Sequence, residues 1–363
     1  MKKIFVASLF ISLCVSLASA QLLIGGRAAG MGGTGVAASR GIDAAYYNPA
    51  CLMRSGVMAT ELEIASGAGY SNFDKLSAAP TNSSNPAKFL VDNYNQSLDF
   101  SGDLAGMVGL NIRKIGISVI PSLTANVKKP TGSLGGTVEG SGTYDGVLTL
   151  GYTFSVPFLP AAVDVGANVK MINAVSGSIE VNSPAGTTTA TSNQYYGTGT
   201  GTGFDLGLLT TFDVPYVSKV AVGYVIRNLA ASYTMKMQRT SVTLDQIAGT
   251  VTPGTTTNLP DQTVNIDSSN ALGAYATIPG IGLGVAADIE MTKAATNTHI
   301  GLEYPLLFNA LILRVGTASG PNLGLTTYGA EVDLRILKLA LVGASDSKNT
   351  GLTRTYADVT IGL

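Results

Sequence analysis

Apolar and polar residues alternate with a period of two over most of this chain, which is the mark of strands with two unlike faces. From Ile281 to Met291, one face carries Ile281, Leu283, Val285, Ala287, Ile289 and Met291. The other carries Gly282, Gly284, Ala286, Asp288 and Glu290. Val163–Asn173 repeats the pattern, setting Val163, Val165, Ala167, Val169 and Met171 against Asp164, Gly166, Asn168 and Lys170. Phe204–Asp213 does so again, with Phe204, Leu206, Leu208 and Phe212 opposite Asp205, Gly207 and Asp213. Segments of this kind are predicted at 57–66, 102–112, 114–127, 142–155, 162–174, 201–213, 218–229, 264–278, 281–291, 297–305, 308–318, 322–335, 336–345 and 353–363.

A soluble sandwich alternates in the same way, so the connections discriminate better. Those at 113, 156–161, 214–217, 279–280, 306–307 and 335/336 are short. The intervening ones, 67–101, 128–141, 175–200 and 230–263, are long and rich in Gly, Ser, Thr and Asn, and 292–296, 319–321 and 346–352 are shorter but polar. Loop length sorted by parity is the pattern of a transmembrane antiparallel β-barrel. Phe154, Phe158, Phe212, Tyr216, Tyr304 and Phe308 gather at the short-turn ends, where an interfacial aromatic belt belongs, although Trp is absent.

Composition supports a barrel. Charged residues make up 12% of the chain, about half the usual share, and 44 of 363 residues are Gly. A basic start at Lys2 and Lys3, an apolar run from Ile4 to Val15 and the small residues Ala18-Ser19-Ala20 have the layout of a cleaved secretory signal over residues 1–20. That run is too short to span a bilayer, which takes about 20 apolar residues. After Gln21 no apolar run approaches spanning length, and Cys51 is the one remaining cysteine, so no internal disulfide framework is expected. The net charge of −1 gives no basic field and argues against a nucleic-acid partner.

The period-2 phase places Asp164, Lys170, Asp205, Arg227, Asp288, Glu290, Glu303, Arg314, Glu331, Asp333 and Arg335 on the less apolar faces. On the lipid side a Lys or Arg would cost roughly 2–4 kcal/mol at mid-bilayer, so these charges are expected to line the lumen as mixed acid–base networks. Pro121 falls inside the third strand. Proline cannot donate to a ladder, and a closed barrel has no edge to accommodate it, so Pro121 and Ser122 should mark a bulge or a break in pairing. In the loop 67–101, Phe89, Leu90 and Tyr94 have rough helical spacing. A short helix there either covers the mouth and collects apolar ligands or packs the loop down.

Residues 21–56 do not read as strand. They are rich in Gly and Ala and suit a plug packed closely inside a lumen. Gly30–Gly35 fits G-x-G-x-x-G, but that pattern signals a dinucleotide only within a βαβ unit, and none follows. The segment Arg27-Ala28-Ala29-Gly30-Met31-Gly32-Gly33, with Asn48-Pro49-Ala50 after it, resembles the FadL-like outer-membrane superfamily of fatty-acid and aromatic-hydrocarbon transporters and PorV/PorQ-like secretion proteins. His299-Ile300-Gly301-Leu302-Glu303-Tyr304 and Leu313-Arg314-Val315-Gly316 resemble the same lineage. Cys51 stands where that motif usually continues with Gly. The resemblance implies about 14 strands closed round an N-terminal hatch, and the division into 14 segments above leans on it. It also implies that Asn48, Pro49 and Ala50 sit in the hatch beside a kinked third strand, where Pro121 and Ser122 open the wall sideways.

The expected organisation is therefore a signal at 1–20, a hatch at 21–56 and a barrel at 57–363. With one His and one mature Cys there is no ordinary zinc site, and no nucleophile motif accompanies His299, so neither cofactor, metal nor catalytic residue is assigned. The leading reading is a non-enzymatic outer-membrane channel for passive uptake of hydrophobic small molecules such as long-chain fatty acids. Its partners are outer-membrane lipid and that lipid-like cargo, with lateral exit through the wall. The alternatives are a PorV-like barrel that holds or shuttles secreted proteins, and a structural or adhesive surface barrel.

Overall fold

Alternating residues can satisfy two environments at once only if each strand is paired on both sides, and closure removes the last unpaired edges. The computed structural model describes residues 23–54, 60–72, 85–155, 161–215, 218–348 and 353–362. The signal segment 1–20, Phe158, Tyr216 and Leu363 lie outside them. The first seven strands are β1 (Thr60–Ser71), β2 (Leu98–Ile112), β3 (Ile115–Lys129), β4 (Gly136–Phe154), β5 (Val163–Val181), β6 (Thr189–Val214) and β7 (Ser218–Asp245). Two short strands follow, β8 (Thr250–Asn258) and β9 (Gln262–Asn265). The rest are β10 (Ser269–Ile278), β11 (Leu283–Met291), β12 (Thr296–Leu306), β13 (Leu311–Ser319), β14 (Gly324–Asp333), β15 (Leu337–Asp346) and β16 (Thr353–Gly362). β1–β7 and β10–β16 close into a ring of 14 antiparallel strands through the β1–β16 and β7–β10 pairings, while β8 and β9 pair with the projecting end of β7.

The phase of alternation is as the sequence indicates. Val285, Ala287, Ile289 and Met291 point outward, whereas Asp288 and Glu290 are buried inside. Met171, Leu206, Leu208, Val119 and Ile300 are among many large apolar side chains that make the outer surface hydrocarbon-like. Phe154, Phe212, Tyr304 and Phe308 are exposed near the short turns. Arg335 departs from the lumenal assignment: it is exposed at the β14–β15 turn with φ 72°, where its amide donates to the Asp333 carboxylate.

The stretches 128–141, 175–200 and 230–263, expected as loops, are largely strand instead. β6 and β7 reach 26 and 28 residues, against 9–11 in β10–β16. Their outer parts alternate Thr, Ser, Gly and Tyr, so they lack a hydrophobic signature yet retain β-branched residues that favour the extended backbone. Hydroxyl pairs such as Thr240–Thr256 at 3.0 Å and Thr191–Thr243 at 3.4 Å bridge neighbouring strands.

The helix Pro86–Asp92 is capped by Asn85, whose side-chain oxygen accepts from the Ala87 and Lys88 amides, with Pro at the first helical position. It packs down rather than standing free. Phe100, Val127, Val138 and Ile179 form one row across β2–β5, and Phe89 and Leu90 are buried in the same cluster. By strand parity this is the face that carries Val108 and Val119 lower on the wall, without a register shift in β3–β4. The apolar outer face thus continues toward the long-strand end and is covered there by the helix.

Candidate functional site

Residues 23–54 lie inside the ring and touch the inner face of every one of its strands. The short helix Gly26–Gly30 sits against β13–β16. Its Gly26 amide donates to Asp358 at 2.7 Å, and Thr327 accepts from Gly32 and donates to the Gly30 carbonyl. Further along, His299 on β12 meets the Gly32 carbonyl at 2.7 Å. Asp288 on β11 accepts from the amides of Gly35 and Val36 at 2.7 and 2.9 Å. The 3-10 turns Gly41–Ala45 and Pro49–Arg54 then pack against β1–β4 and β4–β6.

Wall glycines make this fit. Gly151, Gly166 and Gly207 are cross-strand partners in one row over β4–β6. A Cβ on Gly166 would overlap the backbone at Pro49–Ala50, and one on Gly207 would overlap Asn48 and Pro49. Gly301 and Gly316 pair across β12–β13, and a Cβ on either would overlap Met31. Backbone therefore packs on backbone, which only glycine permits. Within the hatch, Gly32 and Gly33 take φ of +71° and +89°, turning the chain where it passes β13 and β12.

Asn48, Pro49 and Ala50 are buried within the segment inside the ring. The Asn48 amide donates to the Val36 carbonyl at 2.7 Å and to the Leu208 carbonyl of β6 at 3.1 Å, and its oxygen accepts from Ala50. This motif thus ties two hatch segments to β6, three strands round the wall from β3.

Pro121 marks a break in the β2–β3 ladder. Pairing runs from Leu98↔Lys129 to Ala105↔Ser122 and resumes in the same register from Val108↔Val119 to Ile112↔Ile115. Gly106, Met107, Ile120 and Pro121 are skipped, while the β3–β4 ladder is continuous through Pro121↔Tyr144. The break is a gap without a bulge, which is what a missing N–H donor produces when neighbouring pairs hold the register. Ser122 is exposed beside it. Met107 and Ile120 turn inward into a cluster with Leu23, Ile24 and Val147, against which Tyr46 packs. The residues from the N-terminal segment that pack at this gap are thus Leu23, Ile24, Ile42, Ala45 and Tyr46, not the Asn48-Pro49-Ala50 motif.

The lumenal charges form paired chains. Arg27 bridges to Glu303, Glu303 to Arg314 at 3.2 Å, and Arg314 to Glu331 at 2.8 Å. Arg354 binds Asp103 at 2.9 Å, and Lys170 and Arg227 bind Asp205 and Glu290. The Asp103–Arg354 pair and the inward Glu61, Glu63 and Asp358 escaped the sequence reading, although their parity with the strand pattern would have placed them. Asp43 of the hatch is buried, and burial, reinforced by Asp358, pushes its carboxyl up to about 8. Burial likewise pushes the Cys51 thiol up to about 11, which makes it a poor nucleophile. Beyond the hatch, toward the long-strand end, lies a cavity of about 220 Å³ lined by Ala45, Tyr46, Ile120, Asp145, Lys170, Arg227, Asn228, Ser269 and Glu290.

No family model matches the sequence, and no curated protein matches it either. Solved structures do. The Ralstonia pickettii toluene transporter TbuX superposes with a TM-score of 0.59 at 13% identity, covering 93% of this chain and 96% of that one. A Pseudomonas aeruginosa FadL homologue gives 0.58 at 11% identity, covering 96% and 99%. The Pseudomonas putida toluene transporter TodX gives 0.55 at 12% identity, covering 92% and 95%. The chain has the fold of the FadL-like outer-membrane barrels along nearly its whole length.

Proposed function

We propose that this chain, with the fold of FadL-like outer-membrane barrels, carries hydrophobic small molecules across the outer membrane and releases them sideways into it. The observation that carries the reading is the coincidence of three features on one flank. Residues 23–54 pack inside the ring, a cavity lies beyond them, and the one described wall residue shared by cavity and ladder gap is Ile120. A segment packed inside the ring acts as a plug in this reading, and an apolar molecule that passes between Met107 and Ile120 never has to enter water. The proteins it superposes on include toluene transporters, which supports apolar cargo. Residues 1–20 supply the export signal in this reading, and the outer membrane is the location.

The test uses Pro121→Val, which restores a donor at the gap. In proteoliposomes, toluene uptake should fall several-fold while the barrel keeps its heat-modifiable migration in a detergent gel. Uptake at the wild-type rate would remove the role of the gap.

A further inference from the structure

The cavity beyond the hatch is not lined as a simple hydrocarbon would require. Its apolar wall is Ala45, Ile120 and the ring of Tyr46, and the rest of the lining is charged or polar. Both cations are already occupied. Lys170 holds Asp205 at 2.8 Å and the Asn228 side-chain oxygen at 3.0 Å. Arg227 holds Glu290 at 2.6 Å through one terminal nitrogen, while its other two guanidinium nitrogens donate to the Tyr47 carbonyl at 3.1 and 2.9 Å. Asp205 is fixed in turn by the Asn228 amide and the Asn168 side chain, at 2.8 and 2.7 Å. Among the described residues no donor reaches Asp145 Oδ1, although that oxygen is sheltered from solvent.

Two cations therefore face three carboxylates, and the unmatched one opens on the cavity. Asp145 lines the cavity, and an unpaired carboxylate there is costly, a cost that a ligand bringing a donor to it relieves. An incoming carboxylate would find both cations saturated and would add a fourth negative charge. An ammonium group would find Asp145 and, in the same lining, the aromatic ring of Tyr46, a second group that attracts cations. Asp145 is also the register partner of Ile120, so a ligand headed at Asp145 has its apolar part beside the β2–β3 gap.

We infer that this cavity binds the head of a small amphiphile bearing a protonated amine, with its apolar part laid along Ile120 toward the wall. The inference rests on the uptake reading and sharpens it: the cargo is apolar over most of its surface but carries one positive charge.

Isothermal titration of the full-length protein in detergent at neutral pH, with benzylamine, benzoate and toluene as probes, tests it. The three share a ring and differ in the head. Benzylamine should bind at least about tenfold more tightly than benzoate or toluene, and Asp145→Asn should cost about tenfold in benzylamine affinity. Asp145→Glu should retain most of the affinity, and heat-modifiable migration verifies that each variant is folded. Benzoate binding as tightly as benzylamine, an unchanged affinity in folded Asp145→Asn, or no benzylamine binding would each overturn the inference. Toluene binding as tightly as benzylamine would overturn the charged head and leave hydrophobic uptake standing. Loss of the uptake reading would show separately, as toluene flux that is indifferent to the β2–β3 gap.

Discussion

The two flanks of the lumen hold the hatch by different physics. On the β12–β16 side, residues 26–34 are tied by directional contacts: the Arg27–Glu303–Arg314–Glu331 chain, Asp358 on the Gly26 amide, Thr327 on both Gly30 and Gly32. On the β3–β7 side, residues 41–54 rest on glycine backbone and on hydrogen bonds to neutral backbone, from Asn168 to Ala45, Arg227 to Tyr47 and Asn48 to Leu208, beside a cavity and an interrupted ladder. Side-chain networks with every member paired resist displacement, because breaking one member strands the others in a low dielectric. Shape contact and hydrogen bonds to neutral backbone carry a smaller penalty. The segment inside the ring is thus held by a chain of ion pairs on one flank and by bonds to neutral backbone on the other, and the flank without the ion chain is the one with the gap.

The largest effect should come from the anchored flank. Glu303→Gln leaves Arg27 and Arg314 short of their shared carboxylate and is expected to destabilise the folded barrel by about 3–5 kcal/mol. The readout is the temperature at which migration in a detergent gel shifts to the unfolded position. A change within experimental error would mean that the ion chain does not anchor the hatch. On the other flank, Gly166→Val drives a side chain into Pro49–Ala50 and should cost about 1–3 kcal/mol as overpacking. There residues 49–50 are expected to give way rather than the wall, so ion conductance in a planar bilayer should rise, with a smaller shift in unfolding than Glu303→Gln produces. Unchanged conductance would mean that this flank is as firmly held as the other.

A smaller effect concerns pH. Asp43 has a folded pKa of about 8, above its ordinary value, so between roughly pH 4 and 8 the folded chain binds more protons at this site than the unfolded chain. Its contribution to stability is therefore fully present below about pH 4 and is lost as pH rises through about 8. Maleimide labelling of buried Cys51 should report this, being slow at pH 6.5 and faster at pH 8.5 beyond the ordinary rise in thiolate. Asp43→Asn should remove that excess.

Most of the wall was legible because a membrane strand must alternate, and a run such as Leu283–Met291 admits one assignment of faces. The outer halves of β5–β7 were not, since Thr191, Thr198 and Thr200 hold a strand by backbone preference and not by apolarity. Pro121 announced the gap because a missing N–H is visible in a sequence. The position of Asn48-Pro49-Ala50 was hidden, because it follows from where Gly166 and Gly207 leave room, and wall glycines are many. The cavity was hidden as well. Asp145 and Lys170 stand on different strands and meet only through the register of β4 and β5.

Lateral release through the β2–β3 gap is tested most directly by closing the gap reversibly. Met107→Cys and Ile120→Cys in a Cys51→Ala background put two thiols on residues that face each other across the interruption. Toluene flux into proteoliposomes is then measured before oxidation, after it, and after reduction with dithiothreitol. The account predicts near-wild-type flux with the thiols reduced, at least about tenfold less with the disulfide formed, and recovery on reduction, since one covalent bridge blocks a path of molecular width. Undiminished flux through fully oxidised barrels would contradict it.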